Sequence, residues 1–208
     1  MNKRLLHIIA TPRGGESRTL KISNAFLAEF KWKNPECIID EINLPEENLP
    51  SLTVKRVDGK YALLSGNELS GESKKAWQDI IKHIDRFLSA DAYLISTPMW
   101  NFGIPYMLKH YIDVIVQPKY LFRYTEKGVE GLVKGKRMIV ISSRGGDYSI
   151  EPMIKLDLQE PYLRAIFGLA GIIDITFVKA QPMDMDPKMR DERIKEAQGT
   201  AKRIAGSF

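Results

Sequence analysis

The 208-residue sequence has one cysteine, Cys37, and three histidines. A single cysteine excludes an internal disulfide framework and a cysteine-rich metal site. The longest apolar runs have the length of a strand, far below the roughly 20 residues that cross a bilayer. The first run, residues 5–9, is too short for a signal peptide, and the turn residues from Thr11 end it. We therefore expect one cytoplasmic domain over residues 1–208.

The excess of positive charge is also modest, since the net charge is +5 and the basic residues are scattered. The densest basic clusters, 74–75 and 134–137, are not interleaved with aromatic residues, as a nucleic-acid site would require. We expect a solvated surface there, with no nucleic-acid or membrane partner. A mild positive balance suits a small anionic ligand better than DNA.

Short apolar segments alternate with segments of helical periodicity. The pattern predicts strands at 5–10, 37–42, 92–96, 137–142 and 172–180, and helices at 20–30, 73–88, 105–116, 156–169 and 187–205. A hairpin is predicted at 119–135, and a long irregular excursion at 43–72, where turn residues interrupt any period. Alternation of this kind predicts an α/β fold, with a five-stranded parallel sheet and helices on both faces. The pattern alone does not give the strand order.

The loop after the first predicted strand has the composition of an anion site. In such sheets, ligands bind beyond the carboxyl ends of the strands. Thr11 opens this loop, which leads directly into a helix, whose free N–H groups and dipole favour an anion. Ser17 and Thr19 add hydroxyl donors and Arg18 a guanidinium. The alternative is structural, with Ser17 as an ordinary N-cap. The loop matches neither the Walker pattern nor the GxGxxG fingerprint.

Two further loops, after the third and fourth predicted strands, suggest a planar ligand. Pro98-Met99-Trp100-Asn101-Phe102 is mostly apolar where a water-facing loop would be polar, although Trp100 and Phe102 could instead cap the core. Ser143-Arg144-Gly145-Gly146 has paired glycines that let backbone approach a ring, or simply form a turn. A phosphate at one loop and a ring between two others together describe FMN.

The chain also resembles a known family in several motifs that occur in the same order. These are PMWNF at 98–102, Pro105 and Leu108-Lys109 before Asp113, FRYT at 122–125, GLV with GK at 131–136, and SRGG at 143–146. They are similar to motifs of the FMN-dependent NADH:quinone oxidoreductases, also called azoreductases. The similarity extends from the first strand to the last helix.

This resemblance implies a flavodoxin-like fold with sheet order 2-1-3-4-5, and a homodimer with one non-covalent FMN per chain. It implies two-electron transfer from NADH or NADPH to quinones, azo compounds or nitroaromatics, and we expect ping-pong kinetics. The implied cofactor-binding residues are Thr11, Ser17, Arg18, Thr19, Pro98, Met99, Trp100, Asn101, Phe102, Ser143, Arg144, Gly145 and Gly146. Phe122 and Tyr124 would either cover the substrate site of a partner subunit or form the core of the hairpin.

No set of nucleophile, base and orienting group is evident, and no metal-ligand spacing. His7 is expected in the core, and His83 and His110 on helices in surface or packing roles. We therefore expect no catalytic side chain, because the cofactor carries the hydride chemistry. Two alternatives stay open: an electron carrier without its own acceptor, and a phosphate-ester enzyme that uses the first loop alone. Carriers of this kind are usually acidic, and the ester enzyme lacks a suitable nucleophile.

Overall fold

The computed structural model describes residues 3–184 and 186–208. Its strands are β1 (Arg4–Ile9), β2 (Ile38–Asn43), β3 (Ala92–Pro98), β4 (Phe122–Thr125), β5 (Gly128–Gly131), β6 (Arg137–Ser143) and β7 (Asp174–Ala180). Its helices are α1 (Arg18–Lys33), α2 (Val54–Leu64), α3 (Gly71–Leu88), α4 (Tyr106–Ile115), α5 (Gln159–Ala170) and α6 (Pro187–Ala205). No helix in the described ranges is both long and apolar enough to cross a membrane.

The central sheet has five parallel strands in the order β2-β1-β3-β6-β7. These are the five predicted strands in the order 2-1-3-4-5, so both the fold class and the strand order are confirmed. The predicted hairpin is also present, as the separate antiparallel pair β4–β5. Because every connection in the sheet is parallel, the carboxyl ends of β1, β3 and β6 lie at one edge.

Helices cover both faces of the sheet, and the strand residues alternate between two cores. Along β1, Leu6 and Ile8 pack in the core that includes α3, α4 and α5, whereas Leu5 packs in the core under α1 and α6. In β3, Ile95 packs in the core with α3, α4 and α5, and Leu94 packs in the core under α1 and α6. Burial on both faces explains why these strands are continuous apolar runs in the sequence.

The predicted irregular excursion at 43–72 is wrong in its middle, because Val54–Leu64 forms helix α2. This helix buries little of its own surface and contains Gly59, so its periodicity is weak in the sequence. It is held by α3 instead: the Trp77 indole donates to the Arg56 carbonyl at 2.9 Å, and Arg56 Nε donates to the Ala76 carbonyl at 2.8 Å. Tertiary contacts thus form a helix that local propensity does not indicate.

The remaining differences concern element ends. The helix predicted at 105–116 begins at Tyr106, with Pro105 immediately before it. The helix predicted at 156–169 begins three residues later, after a 3-10 turn at Met153–Leu156. The last strand begins at Asp174 rather than at residue 172.

Candidate functional site

A cleft lies at the carboxyl edge of the sheet, where three predicted loops meet. It is lined by Thr11, Arg13, Ser17, Arg18, Thr19, Pro98, Met99, Trp100, Ser143, Arg144, Gly145, Met183 and Asp184. Ten of these thirteen residues belong to the set predicted from the sequence. The other three predicted residues, Asn101, Phe102 and Gly146, lie within two residues of Trp100 or Gly145 in the sequence but do not line the cleft themselves.

The start of α1 combines a helix cap with the turn that is predicted to bind an anion. Ser17 Oγ accepts hydrogen bonds from the Leu20 amide and from Thr11 Oγ1, both at 3.2 Å, so Ser17 is indeed an N-cap. The first N–H groups of a helix have no intrahelical partner, and here they include those of Arg18 and Thr19. The structural and anion-binding interpretations of this loop are therefore compatible.

Arg18 bridges this turn to the far rim of the cleft. Its Nη1 donates to the Met183 carbonyl at 3.1 Å and to Asp184 Oδ1 at 3.0 Å. The guanidinium is one-quarter exposed and its charge is partly offset by Asp184, so a phosphate would share this cation with a carboxylate. Arg13 supplies a second, exposed cation at the lining.

Sequence reasoning missed Arg13, Met183 and Asp184. Arg13 lies inside the first loop and could have been included by its charge. Met183 and Asp184 lie in the loop after β7. The sequence predicts a ligand only at the loops after β1, β3 and β6. The edge rule for parallel sheets applies to β7 as well.

The turn after β3 projects its aromatic rings outward. Trp100 and Gly103 exchange two backbone hydrogen bonds, at 3.0 and 2.9 Å, around Asn101 and Phe102, whose φ angles are 47° and 68°. Left-handed backbone at a non-glycine residue is uncommon and persists where the surroundings impose it. Trp100 and Phe102 are 38% and 41% exposed, and neither belongs to the two buried cores. This exposure favours a place at the cleft over a cap on the core.

The loop after β6 closes the cleft from the opposite side. Ser143 Oγ lies 2.7 Å from Thr19 Oγ1, and the Ser143 carbonyl accepts from the Met99 amide at 2.9 Å. The Gly145 carbonyl accepts from the amides of Met183 and Asp184, at 2.9 and 3.1 Å. A Cβ atom at Gly145 would collide with the Asp184 carboxylate. A side chain at this position would therefore have to displace the Asp184 side chain, which pairs with Arg18.

The Arg144 guanidinium points into the protein interior. Nη1 pairs with Asp157 Oδ2 at 2.7 Å, and Nε lies 3.3 Å from Gln159 Oε1. Gln159 Nε2 in turn donates to the Pro98 carbonyl at 2.9 Å, and Ser142 Oγ donates to Gln159 Oε1 at 2.6 Å. This buried network fixes the ends of β3 and β6 against the start of α5. That Arg144 binds the cofactor stays a prediction. Because the guanidinium is paired inside the protein, such binding would use the main-chain atoms of Arg144.

The other predicted residues lie away from the cleft. Phe122 is 7% exposed and packs in the core, whereas Tyr124 is 65% exposed, with the two ring centroids 5.9 Å apart. Burial lowers the pKa of His83 and raises that of Cys37. His110 Nε2 lies 3.1 Å from the Pro50 carbonyl. Among the described residues, no group of three or more His, Cys, Asp or Glu side chains could hold a metal ion.

The sequence profile of the family described as flavodoxin-like fold matches residues 3–204. The chain therefore belongs to the flavodoxin-like family, as its strand order also indicates. It is 38% identical over 209 residues to an FMN-dependent NADH:quinone oxidoreductase of Clostridium beijerinckii, covering 100% of both chains. It is 36% identical over 203 residues to the protein of that name in Rhizobium meliloti, covering 95% of this chain and 94% of the relative.

Solved structures with a similar fold include azoreductases. A crystal structure of an FMN-dependent NADH-azoreductase from Bacillus anthracis, in complex with FMN, is 32% identical with a TM-score of 0.83. A second azoreductase from Bacillus anthracis is 28% identical with a TM-score of 0.90. Each alignment covers 99% of this chain and 100% of the other.

Proposed function

We propose that this protein is an FMN-dependent oxidoreductase that passes two electrons from NAD(P)H to quinones and azo compounds. One observation carries the proposal: the anion-binding start of α1 and the aromatic turn at Trp100 open on the same cleft. The relatives with the same activity in their names support it over the full chain. We further propose that residues 1–208 act as one FMN-binding domain located in the cytoplasm, where a buried free thiol such as Cys37 is stable.

The residues of the cleft fit the two chemical parts of FMN. The amides at the start of α1, the hydroxyls of Ser17 and Thr19, and the cations of Arg13 and Arg18 suit a phosphate. Met99 and Trp100 on one side and the Gly145 main chain on the other suit a planar ring. When bound, FMN supplies the hydride chemistry, and the protein supplies binding and orientation.

The chain's own task is then to hold the ring edge and exclude water from it. No side chain that lines the cleft, among the described residues, is a histidine or a cysteine. We propose that turnover needs no side-chain acid, base or nucleophile, and that donor and acceptor use the same exposed face in turn. Such alternation gives ping-pong kinetics.

We also propose that the protein is a homodimer in which the exposed Tyr124 lies near the partner's cleft, while the buried Phe122 packs behind it in the core. Exposed apolar side chains beside the cleft support an interface: Phe102, Tyr106 at 75% exposure, and Leu158 at 58%. Leu158 is held next to this turn by its amide, which donates to the Phe102 carbonyl at 3.0 Å. Monomers rarely expose contiguous apolar patches larger than a few hundred Å². Sedimentation velocity would measure the mass directly.

The two alternatives have less support. An electron carrier without its own acceptor would usually have an acidic surface, whereas the net charge here is +5. A phosphate-ester enzyme needs a nucleophile at the anion site, whereas Cys37 precedes β2 at the opposite edge of the sheet.

Purification followed by a visible spectrum and acid release of the flavin tests the proposal. We expect about one FMN per chain, rapid bleaching by NADH under anaerobic conditions, and parallel lines in double-reciprocal plots with a quinone. A colourless protein that takes up no FMN would overturn the function. Bound FMN that NADH does not bleach rapidly would instead support the electron carrier. Intersecting lines would refute the proposal that donor and acceptor use the same face of the flavin in turn.

A further inference from the structure

A chain of hydrogen bonds crosses the interior beneath the start of α1. His7, in the middle of β1, is 1% exposed. Its Nδ1 lies 2.9 Å from Glu41 Oε1 of β2, and its Nε2 lies 2.7 Å from Ser96 Oγ of β3. Ser96 Oγ lies 2.6 Å from Ser23 Oγ of α1. Ser96 is fully buried, so this glutamate–histidine–serine set has no access to a substrate and is not a hydrolase site.

The other end of this chain reaches the turn that lines the cleft. Ser23 Oγ lies 3.1 Å from the Thr19 carbonyl, to which it donates. That carbonyl belongs to the same peptide group as the Leu20 amide, which donates to Ser17 Oγ at 3.2 Å. The chain therefore connects the half-exposed Glu41 carboxylate to two residues of the proposed phosphate site.

Counting protons fixes the direction of these bonds, because a hydroxyl has only one hydrogen to donate. If Ser23 donates to the Thr19 carbonyl, Ser96 must donate to Ser23, and Ser96 then accepts from His7 Nε2. His7 Nδ1 faces a carboxylate oxygen, which can only accept. All four bonds form together only when both imidazole nitrogens carry protons. The hydrogen bond from His7 lowers the pKa of the Glu41 carboxyl, which keeps it ionised as the partner.

When His7 is neutral, the donors and acceptors along these hydrogen bonds change roles. Its one proton then lies on Nδ1, towards Glu41, and Nε2 accepts from Ser96. Ser96 in turn accepts from Ser23, and the bond to Thr19 is lost. Within the described residues, Glu41 from β2 is the charged group in contact with His7, and β3 and α1 present only the hydroxyls of Ser96 and Ser23.

We propose that His7 is a positioning residue for the anion-binding turn, and that its proton turns the Ser96 and Ser23 hydroxyls towards Thr19. The inference rests on the proposed function in that the anion is the phosphate of FMN. A hydrogen bond donated to the Thr19 carbonyl polarises its peptide group and strengthens the Leu20 amide as a donor to Ser17. A positive charge below the turn also favours an anion in the cleft. Phosphate binding and protonation of His7 are therefore reciprocally linked.

Two variants separate this role from simple packing. In Ser23→Ala, Ser96 has no acceptor other than His7 Nε2, so His7 is held in its neutral form. In His7→Gln, the side-chain amide still donates to Ser96 but cannot titrate, whereas His7→Leu removes the donor altogether. Asn24→Ala is the matched control, because Asn24 is the exposed neighbour of Ser23 on the same helix.

Calorimetric titration of the apoprotein with FMN, in two buffers of different ionisation enthalpy at pH 7, measures proton uptake. The phosphate itself titrates near pH 6, so variants are compared with one another. We expect the wild type and Asn24→Ala to take up several tenths of a proton more per FMN than Ser23→Ala and His7→Gln. FMN affinity should fall about three- to tenfold in Ser23→Ala and His7→Leu and stay near wild type in His7→Gln. Riboflavin, which has no phosphate, should bind all variants alike.

Equal proton uptake in the wild type and Ser23→Ala would overturn the inference. Failure of the proposed function has a different signature, since no variant would then bind FMN. In that case nitrogen-15 spectra of the three histidines still test the chain of bonds. As the pH is lowered, the wild type should reach the form with both His7 nitrogens protonated at a higher pH than Ser23→Ala. Identical spectra of the two proteins would refute the proposed hydrogen bonds from His7 to Thr19.

Discussion

The hydroxyls of Ser17 and Thr19 are bound within the protein and also line the cleft. If both bind the FMN phosphate as proposed, replacing both with alanine removes two hydrogen bonds to a charged group, each of which contributes about 1.5–3 kcal/mol. We expect FMN affinity to fall by roughly a hundredfold or more. Loss of the Ser17 cap should also cost about 1 kcal/mol of folding stability.

Titration of FMN by fluorescence quenching measures the first effect and urea unfolding the second. Ser70→Ala is the control, because Ser70 is an N-cap whose side chain makes no capping hydrogen bond. It should change neither quantity. An unchanged FMN dissociation constant in the double variant would remove these hydroxyls from the phosphate site.

Gly145 is the second residue whose replacement should affect the cleft. A side chain there meets the Asp184 carboxylate, which pairs with Arg18. Gly145→Val should therefore displace the far rim and weaken FMN binding, at a cost of about 1–3 kcal/mol. Gly146→Ala is a matched control, because its nearest contact would be an ordinary 3.5 Å from the Tyr148 ring. Equal FMN affinities of the two variants would contradict this role.

At the scale of elements, Asp40 joins β2 to two neighbours. Its carboxylate accepts from Arg86 of α3 at 2.7 Å and from Arg4 of β1 at 3.3 Å. The hydrogen bond from Arg86 is the main reason that the pKa of Asp40 is lowered. Its stabilising contribution is therefore complete above the unfolded pKa, near 4, and is lost as the pH falls through the folded value.

Asp40→Asn should accordingly lower the free energy of unfolding by about 1–3 kcal/mol at pH 7. The difference from the wild type should shrink below about pH 4. Urea unfolding at several pH values measures both. Asp113→Asn removes an exposed pair with Lys109 and should cost less than about 1 kcal/mol at any pH. A pH-independent difference for Asp40→Asn would show that the pair is not the cause.

Elements differ in how far the sequence determines them. The five strands and helix α6 have long apolar or helical periodicity and were predicted closely. Helix α2 was not, because its stability comes from Trp77 of another helix. The rim at Met183 and Asp184 was missed for a similar reason: only the fold brings it against Arg18. Residue types identified the turn at Trp100, but its outward orientation follows from backbone angles that composition does not encode.

At the scale of the whole molecule, burial changes what a residue can do. The sequence suggested that Arg144 faces the cofactor and that His7 is an ordinary core residue. In the structure the Arg144 guanidinium is enclosed by Asp157 and Gln159, and His7 joins three strands and a helix. Neither arrangement can be predicted from local sequence, because their partners are between 13 and 89 residues away.

The positions of Cys37, His83 and His110 lead to the last prediction. None of them lines the cleft: Cys37 lies before β2 at the opposite edge of the sheet, and the histidines lie on α3 and α4. Proton transfer by a positioned group contributes roughly 10²–10⁴-fold where an enzyme uses it. Alanine at each of the three positions, in protein checked for full FMN content, should therefore keep kcat within about tenfold of the wild type, below that range. Anaerobic stopped-flow reduction by NADH, followed by steady-state turnover with a quinone, measures both halves of the reaction. A variant that binds FMN normally yet loses about a thousandfold in either half, well inside that range, would identify a catalytic side chain outside the cleft.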